Sequence, residues 1–292
     1  MREKGSFSQT AQGIIFIIGA GFCFSWMTFF VRLSGDLPTM EKAFFRNAVA
    51  VVAAFFMLLR SEDKFKVQKG SWPSIAMRCI FGTTGLVCNF YAIDKMNLAD
   101  ANMLNKLSPF FAIIASIFIL KEKANKVEWA TVIVAFLGAL LIIKPSFQMQ
   151  FVYGLIGLYG GFGAGVAYVF VRKLGKNGER TPVIVMCFSL FSCLFTLPFM
   201  IFNFKPMAPW QLLCLVSAGI AATGGQLCIT TAYKKAAAKD ISVFDYSQIL
   251  FAAMWGLLFL GELPDWLSFL GYAVIIGCAI FKWNYNRKRQ EL

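Results

Sequence analysis

Ten apolar stretches, each close to the length of a membrane-spanning helix, dominate this chain of 292 residues. A spanning helix needs about twenty mostly apolar residues to cross the hydrocarbon layer. Hydrophobic residues make up 58% of the chain and charged residues only 15%, too few to cover a water-soluble surface. We therefore expect an all-α polytopic membrane protein with ten transmembrane helices. The predicted helices cover residues 11–33, 41–59, 73–93, 99–120, 128–143, 152–171, 181–202, 208–233, 241–260 and 266–284.

The basic residues lie mainly in alternate links between these stretches. The formal net charge is +13, and with the amino terminus inside, about 20 Lys and Arg fall in inside segments and about five in outside ones. Cytoplasmic loops are enriched in Lys and Arg, so both termini are expected in the cytoplasm and the protein in the plasma (inner) membrane. Nucleic-acid binding does not explain the charge, because the cations are divided among short links instead of gathered on one soluble face.

Cysteine and histidine usage argues against metal, redox or hydrolytic chemistry. All eight Cys lie within hydrophobic stretches without a C-x-x-C pair, and the chain has no His. Disulfide and zinc sites are therefore not predicted. The sequence also lacks a soluble domain for a cofactor and a pair of carboxylates on one helix face. We expect neither a metal nor a cofactor, and we do not expect an enzyme.

The two halves of the chain match each other at an offset of 140 residues. Phe30-Val31-Arg32 corresponds to Phe170-Val171-Arg172, and shared Gly, Cys, Lys and Asp residues extend the match over 83–100. A common bias toward apolar residues would not match glycines and charges. We infer a first repeat over residues 1–145, with helices 1–5, and a second over 146–292, with helices 6–10. Because each repeat has an odd number of helices, the second is inverted in the membrane.

Inverted repeats are common in carriers, because two similar halves can exchange conformations and move one central site between the membrane faces. We therefore expect a secondary transporter that works by alternating access. The alternative is a structural membrane protein that merely duplicated. The sequence has no ATP-binding motif, so the energy for transport would come from a gradient or from exchange.

Several motifs resemble one known family. Phe44-Phe45-Arg46-Asn47 lies in the second helix, and Leu120-Lys121-Glu122 and Leu260-Gly261-Glu262 end the fourth helix of each repeat. With the inverted repeats, they make the chain similar to the drug/metabolite transporter superfamily, in its EamA-domain branch. The resemblance covers nearly the whole chain. It implies a central cavity lined mainly by helices 1, 3, 4, 6, 8 and 9, and a substrate among the amino acids, amines, nucleotide sugars and other small metabolites.

Lys106 and Asp245 are the charges that lie deepest in the predicted helices. Residue spacing and the 140-residue offset place each on a polar helix face. These faces consist of Asn102, Asn105, Lys106 and Pro109 in the fourth helix, and of Ser242, Asp245, Tyr246 and Ile249 in the ninth. Polar groups facing lipid would lack hydrogen-bond partners, so both faces should line the bundle interior. Two interpretations are open: Lys106 binds a substrate carboxylate while Asp245 takes an amine or a proton, or the two form an ion pair between the helices.

Three further charges lie within the predicted helices. Arg46 is interpreted as a second anion contact or as a structural cation, and the structural role is slightly favoured. Arg78 and Asp100 lie near helix starts, which favours structural roles for both. A charge at the bilayer centre costs about 2.5–3.5 kcal/mol on insertion scales, so each of these residues needs a compensating interaction.

Aromatic and amide side chains on the cavity helices complete the predicted site. The candidates for stacking on a substrate or for hydrogen bonding to it are Trp26, Tyr91, Tyr168, Gln226 and Trp255. Packing is the more common role for any single aromatic residue. Gly157, Gly161 and Gly165 form a small-residue stripe on the sixth helix, which predicts a tight helix contact.

The sequence as a whole favours transport of a small amphiphilic metabolite, amino-acid-like because both charge signs occur in the predicted cavity. The alternative substrates are amines, drugs or nucleotide-type metabolites moved by exchange. A non-transporting sensor or a channel is the remaining functional class. The expected partners are the lipid bilayer, the substrate and either a proton or an exchanged metabolite, and the choice between monomer and homodimer is open.

Overall fold

The computed structural model describes residues 9–121, 126–143, 149–235 and 242–288, and within these ranges the regular structure is helical, without strands. We number the helices α1 to α10 to match the ten predicted stretches. They are α1 (Gln9–Leu33), α2 (Thr39–Leu59), α3 (Trp72–Lys95), α4 (Leu98–Asn105 and Ser108–Ile119), α5 (Lys126–Ile143), α6 (Met149–Lys176), α7 (Thr181–Phe202), α8 (Pro209–Lys235), α9 (Ser242–Tyr246, Ser247–Trp255 and Gly256–Leu260) and α10 (Trp266–Lys288).

The described helices have the length and composition expected of membrane spans. Eight of them are long and apolar enough to cross a bilayer, and shorter apolar segments, Trp129–Gly138 in α5 and Phe244–Leu260 in α9, supply the other two. Large hydrophobic side chains such as Phe118, Leu213 and Phe202 are exposed on the outer surface of the bundle, as lipid-facing residues are. The predicted all-α polytopic membrane fold is confirmed.

Helix α4 is broken at Lys106 and Leu107, where the sequence predicted one continuous helix. Pro109 has no backbone N–H and disfavours the helical turn before it. The Phe110 N–H donates to the Leu107 carbonyl at 2.9 Å instead of to that of Lys106. The Lys106 carbonyl instead accepts a hydrogen bond from Tyr246 Oη at 3.1 Å, so the second repeat stabilises the break in the first.

Helix α9 is irregular at the equivalent position. Its first segment, Ser242–Tyr246, is a 3₁₀-helix, and its last, Gly256–Leu260, is a π-helix. Tyr246 ends the 3₁₀ segment 140 residues after Lys106, so the two irregular points are related by the repeat. Irregular backbone at membrane depth is tolerated only where protein or a polar cavity surrounds it. The break in α4 and the 3₁₀ segment of α9 therefore mark the interior of the bundle.

Helix packing follows the inverted repeat. Helix α1 packs on α8 as α3 packs on α6, and α1 packs on α9 as α6 packs on α4; α2 pairs with its own counterpart α7, and α5 with α10. Each of these contacts between a helix of the first repeat and one of the second thus recurs between their counterparts in the opposite repeats. This is the contact pattern of a pseudo-two-fold axis through the bundle, and it places α5 and α10 away from the centre.

Glycines on α6 allow α4 to approach it closely at the break. A Cβ atom added at Gly161 would lie 2.5 Å from the Leu104 carbonyl oxygen, and one at Gly165 would lie 2.5 Å from that of Ser108. A Cβ atom added at Gly157 would lie 3.0 Å from Leu104 Cδ1 and 3.2 Å from Ala92 Cβ. The predicted tight contact of this stripe is confirmed, and it holds both ends of the broken helix against α6.

Candidate substrate-binding cavity

A buried ion pair joins α4 to α9 where both helices are irregular. Lys106 Nζ lies 2.7 Å from Asp245 Oδ2, and the two residues are 4% and 3% exposed. The break in α4 places Lys106 at the end of the Leu98–Asn105 segment, and the 3₁₀ segment of α9 carries Asp245. The sequence left two interpretations of these residues open, and in this structure they form the ion pair. Because each member belongs to a different repeat, the pair lies at the junction of the two halves.

Neutral hydrogen bonds extend this junction. Gln248 Nε2 donates to Asn102 Oδ1 at 2.8 Å, and Tyr246 Oη donates to the Lys106 carbonyl. Asn102 also donates to the Leu98 carbonyl in its own helix at 2.7 Å. Asn102 and Tyr246, both predicted site residues, therefore hold α4 and α9 together. Ser242 begins the 3₁₀ segment, and its side chain lies outside the described part of the structure.

A cavity lies beside the ion pair and extends between the two repeats. Four predicted residues, Asn105, Lys106, Tyr168 and Gln226, line it, together with Arg46. The lining residues are Phe24, Met27, Arg46, Arg78, Gly82, Gly85, Leu86, Asn89, Asn105, Lys106, Ala164, Ala167, Tyr168, Phe188, Gln226 and Gln248. They come from α1, α2, α3, α4, α6, α7, α8 and α9, so α2 and α7 join the six helices that the family resemblance implied.

The predicted aromatic residues other than Tyr168 do not line this cavity. Trp26 and Trp255 pack on each other, with ring centroids 4.3 Å apart, between α1 and α9. Trp255 Nε1 donates to Ser25 Oγ at 3.1 Å. Tyr91 packs edge-on against Tyr153 of α6 at 6.0 Å. In this conformation these side chains serve helix packing.

Arg78 lines the cavity although its position near a helix start favoured a structural role. It lies with Arg46 near the Phe188 ring, at 4.0 Å and 5.8 Å from the ring centroid. Sequence reasoning also passed over Gln248 and Phe188. The signal that could have placed Arg78 in the cavity is its departure from the repeat, since the equivalent position is Ala218.

Asp100, in contrast, makes a structural contact. Tyr272 Oη donates to Asp100 Oδ1 at 2.7 Å, which ties the start of α4 to α10. Asp100 is buried away from the cavity lining. The contact supports the structural interpretation of this carboxylate.

The charge of the cavity wall is positive. Arg46, Arg78 and Lys106 line it, and none of the described lining residues is Asp or Glu. Asp245, immediately behind Lys106, offsets one of the three positive charges. Charges in a site of low dielectric interact strongly, so this wall favours an anion over a cation.

Polar contacts join the repeats at the end of the bundle that contains Arg32, here called the Arg32 end. Arg32 Nη2 donates to Glu262 Oε1 at 2.6 Å, and the other Glu262 oxygen accepts the Leu98 N–H at 2.8 Å. Lys42 Nζ lies 2.6 Å from Asp94 Oδ1. The bonds of Glu262 connect α1 and the start of α4 to the end of α9, whereas the Lys42–Asp94 pair joins α2 to α3 within the first repeat.

At the opposite end, the links α2–α3 and α6–α7 are bonded to each other. Arg180 Nη1 donates to Ser61 Oγ at 2.6 Å, and its Nη2 donates to the Lys64 and Lys66 carbonyls at 2.8 Å and 3.0 Å. Glu179 Oε2 accepts the Gln68 N–H at 3.0 Å. Each end of the bundle thus has its own set of contacts between the repeats.

The bundle and its polar interior cavity define a multi-pass membrane transporter built from two inverted repeats. The comparison with known families agrees with this class. The model of the EamA-like transporter family matches residues 11–144 and again residues 152–282. The chain belongs to this family, and each half carries one copy of its domain.

Individual relatives span nearly the whole chain. The pseudopaline exporter CntI of Pseudomonas aeruginosa is 33% identical over 92% of this chain and 95% of its own length. Solute carrier family 35 member G1 of Homo sapiens is 25% identical over 94% and 81%, and the riboflavin transporter of Vibrio cholerae is 24% identical over 96% of each chain. A crystal structure with 17% identity superimposes with a TM-score of 0.63 over 97% of this chain and 99% of its own, which supports the fold alone.

Proposed function

We propose that this protein is a secondary active transporter that moves a small, amino-acid-like metabolite across the plasma (inner) membrane by alternating access. The observation that carries the proposal is the Lys106–Asp245 pair, buried at the junction of the two repeats and beside a polar cavity. A carboxylate of the substrate would bind Lys106, and its amine would bind Asp245, whose Oδ1 has no hydrogen-bond partner in the described structure. In the absence of substrate the two side chains neutralise each other.

The irregular backbone on both sides of the pair supports this role. A substrate that separates Lys106 from Asp245 also loosens the contact between α4 and α9, because the pair and the Tyr246–Lys106 hydrogen bond are parts of one junction. Breaks in helices give transporters both a polar binding site and a hinge. Substrate binding would therefore couple to movement of the two helices.

The arrangement of contacts at the two ends supports alternating access. The inverted repeats provide two conformations that are related by exchange of the halves. In one of these conformations the Arg32–Glu262 bond would hold the Arg32 end closed. We propose that this end faces outward and that both termini lie in the cytoplasm, as the distribution of basic residues predicts.

The name of the Pseudomonas relative supports outward transport of a metabolite, and the Vibrio relative is named for transport of a different one. We therefore propose an organic ion as substrate and export as the direction. Coupling would use either a proton at Asp245 or an exchanged metabolite. An imposed pH gradient across proteoliposomes separates these two, since only proton coupling responds to it.

The deciding experiment is counterflow in proteoliposomes. Purified protein is first screened against amino acids, amines and organic anions for thermal stabilisation, and the stabilising compounds are then tested for saturable exchange. Wild-type protein should show exchange, and Lys106→Met should abolish it. Exchange by Lys106→Met at the wild-type rate would contradict the binding role, and linear, unsaturable flux would indicate a channel.

A further inference from the structure

Two arginines that the repeat does not explain lie together in the cavity wall. Arg46 on α2 and Arg78 on α3 are 2% and 5% exposed, and both line the cavity. Their guanidinium carbons lie 5.8 Å and 4.0 Å from the centroid of the same Phe188 ring. The separation between the two carbons cannot exceed the sum of these distances. Two like charges thus lie near one aromatic ring inside the bundle.

Neither arginine has a carboxylate partner among the described residues. The described ion pairs involve Arg32, Lys42 and Lys106 instead. The Nε atoms of both Arg46 and Arg78 have no hydrogen-bond partner in the described structure. Burying a charge without an opposite charge or a full set of hydrogen bonds is strongly unfavourable.

The neutral contacts of the arginines compensate this only in part. Arg46 Nη1 donates to Asn47 Oδ1 at 2.6 Å, and the Phe188 ring stabilises both cations through its π face. An aromatic ring and one amide offer no negative charge. The two guanidinium groups therefore keep N–H donors without partners and uncompensated positive charge on the side of the cavity.

The fold does not require these cations for packing. At the equivalent positions of the second repeat, α7 has Met186 and α8 has Ala218. Helix α8 packs on α2 as α3 packs on α7. The same type of helix contact thus forms with apolar residues at these positions, so the arginines serve something other than the repeat architecture.

We propose that Arg46 and Arg78 form an anion subsite, here called the arginine subsite, for a second acidic group of the transported molecule. A guanidinium group binds a carboxylate through two parallel N–H···O bonds. Lys106 takes the first carboxylate of the substrate, so the inference rests on the proposed function. Asn89 lines the same wall, and its unpartnered Oδ1 accepts an N–H or O–H of the ligand. The substrate class is an amino acid or related metabolite with at least two carboxylates.

The test uses ligands of matched length and different charge. Purified full-length protein in detergent is titrated with glutarate, glutamate, glutamine and inorganic phosphate, and the apparent Kd is taken from thermal shifts. Glutarate or glutamate should stabilise the wild type more than glutamine does, because glutamine lacks the second carboxylate. Arg46→Gln and Arg78→Gln should each raise the apparent Kd of the dicarboxylate at least tenfold, equivalent to about 1.4 kcal/mol. Arg60→Gln, at an exposed position, is the matched control and should leave it unchanged.

A second measurement keeps the test informative if binding is weak. Without ligand, Arg46→Gln and Arg78→Gln should have a Tm equal to or above that of the wild type, because an uncompensated charge is removed. A structural role predicts a lower Tm for both. Lower Tm values, unchanged dicarboxylate affinity, or stabilisation by glutamine equal to that by glutarate would each overturn the arginine subsite. Stabilisation by phosphate but not by glutarate would overturn the dicarboxylate class.

Failure of the subsite is distinguishable from failure of transport. Saturable counterflow of any metabolite by both the wild type and Arg46→Gln, at equal rates, would leave the transporter function standing and refute the subsite. Stabilisation by dicarboxylates without saturable flux would refute transport and retain the subsite.

Discussion

Replacing Lys106 with methionine removes one half of the buried ion pair and leaves the Asp245 carboxylate without its cation. Asp245 is 3% exposed, and its Oδ1 already has no hydrogen-bond partner in the described structure, so water cannot readily replace the lost partner. Breaking a buried pair in this way typically costs about 3–5 kcal/mol. We expect the free energy of unfolding of Lys106→Met to fall by about that amount.

The double variant Lys106→Met, Asp245→Asn separates the structural part of this effect from the functional part. With both charges removed, most of the lost stability should return, to within about 1 kcal/mol of the wild type, since a neutral pair of similar volume is often tolerated. Substrate counterflow should stay abolished. A pair that served only to join the helices would instead recover transport along with stability.

The assay is equilibrium unfolding in detergent, followed by tryptophan fluorescence, together with counterflow in proteoliposomes. Lys95→Met, at the exposed end of α3, is the control for loss of a lysine and should change stability by less than about 0.5 kcal/mol. The reasoning is refuted if the free energy of unfolding of Lys106→Met lies within about 0.5 kcal/mol of the wild-type value. It is also refuted if the double variant is no more stable than the single one.

Three further predictions test the parts of the fold around the cavity. Glu262→Gln removes the negative charge of the Arg32–Glu262 ion pair and should increase the labelling rate of a cysteine placed in the cavity from the Arg32 end. Unchanged labelling would mean that the ion pair does not close this end. Gly161→Ala places a Cβ 2.5 Å from the Leu104 carbonyl oxygen and should lower unfolding free energy by about 1–3 kcal/mol, whereas Gly175→Ala on the same helix meets nothing within 4 Å and should be neutral or stabilising. Pro109→Ala restores an N–H to α4 and should raise unfolding free energy while slowing counterflow, because a continuous helix withdraws the Lys106 carbonyl from Tyr246; faster counterflow would contradict the role of the break.

The break in α4 shows where sequence reasoning about helices reached its limit. Pro109 has no backbone N–H and so frees a carbonyl near Lys106, but the apolar run from 99 to 120 predicted a continuous span. What decides between a kink and a break is the partner of that carbonyl. The partner, Tyr246, is 140 residues away and belongs to the other repeat, so periodicity within one helix could not identify it.

The candidate site, too, could be predicted from the sequence only in part. The pairing of Lys106 with Asp245 could be anticipated, because the offset places them on matching faces of α4 and α9. The location of Arg78 could not, because a residue seven positions into α3 can either reach the membrane surface or turn inward. Its packing against Phe188 of α7, which depends on how the two repeats dock, decides that it turns inward.

Hydropathy, the distribution of basic residues and the internal repeat are properties of the chain itself, and the helix count and inverted architecture follow from them because the bilayer admits few alternatives. Which side chains meet across the axis depends on distances between helices that are far apart in sequence. Only the packed structure therefore brings Arg46, Arg78 and Lys106 to one cavity and separates Trp26 and Trp255 from it. The fold follows from the hydropathy and loop charge of each segment, because the bilayer acts on each segment separately. The chemistry of the site depends on how the two halves dock, because docking decides which side chains face the cavity.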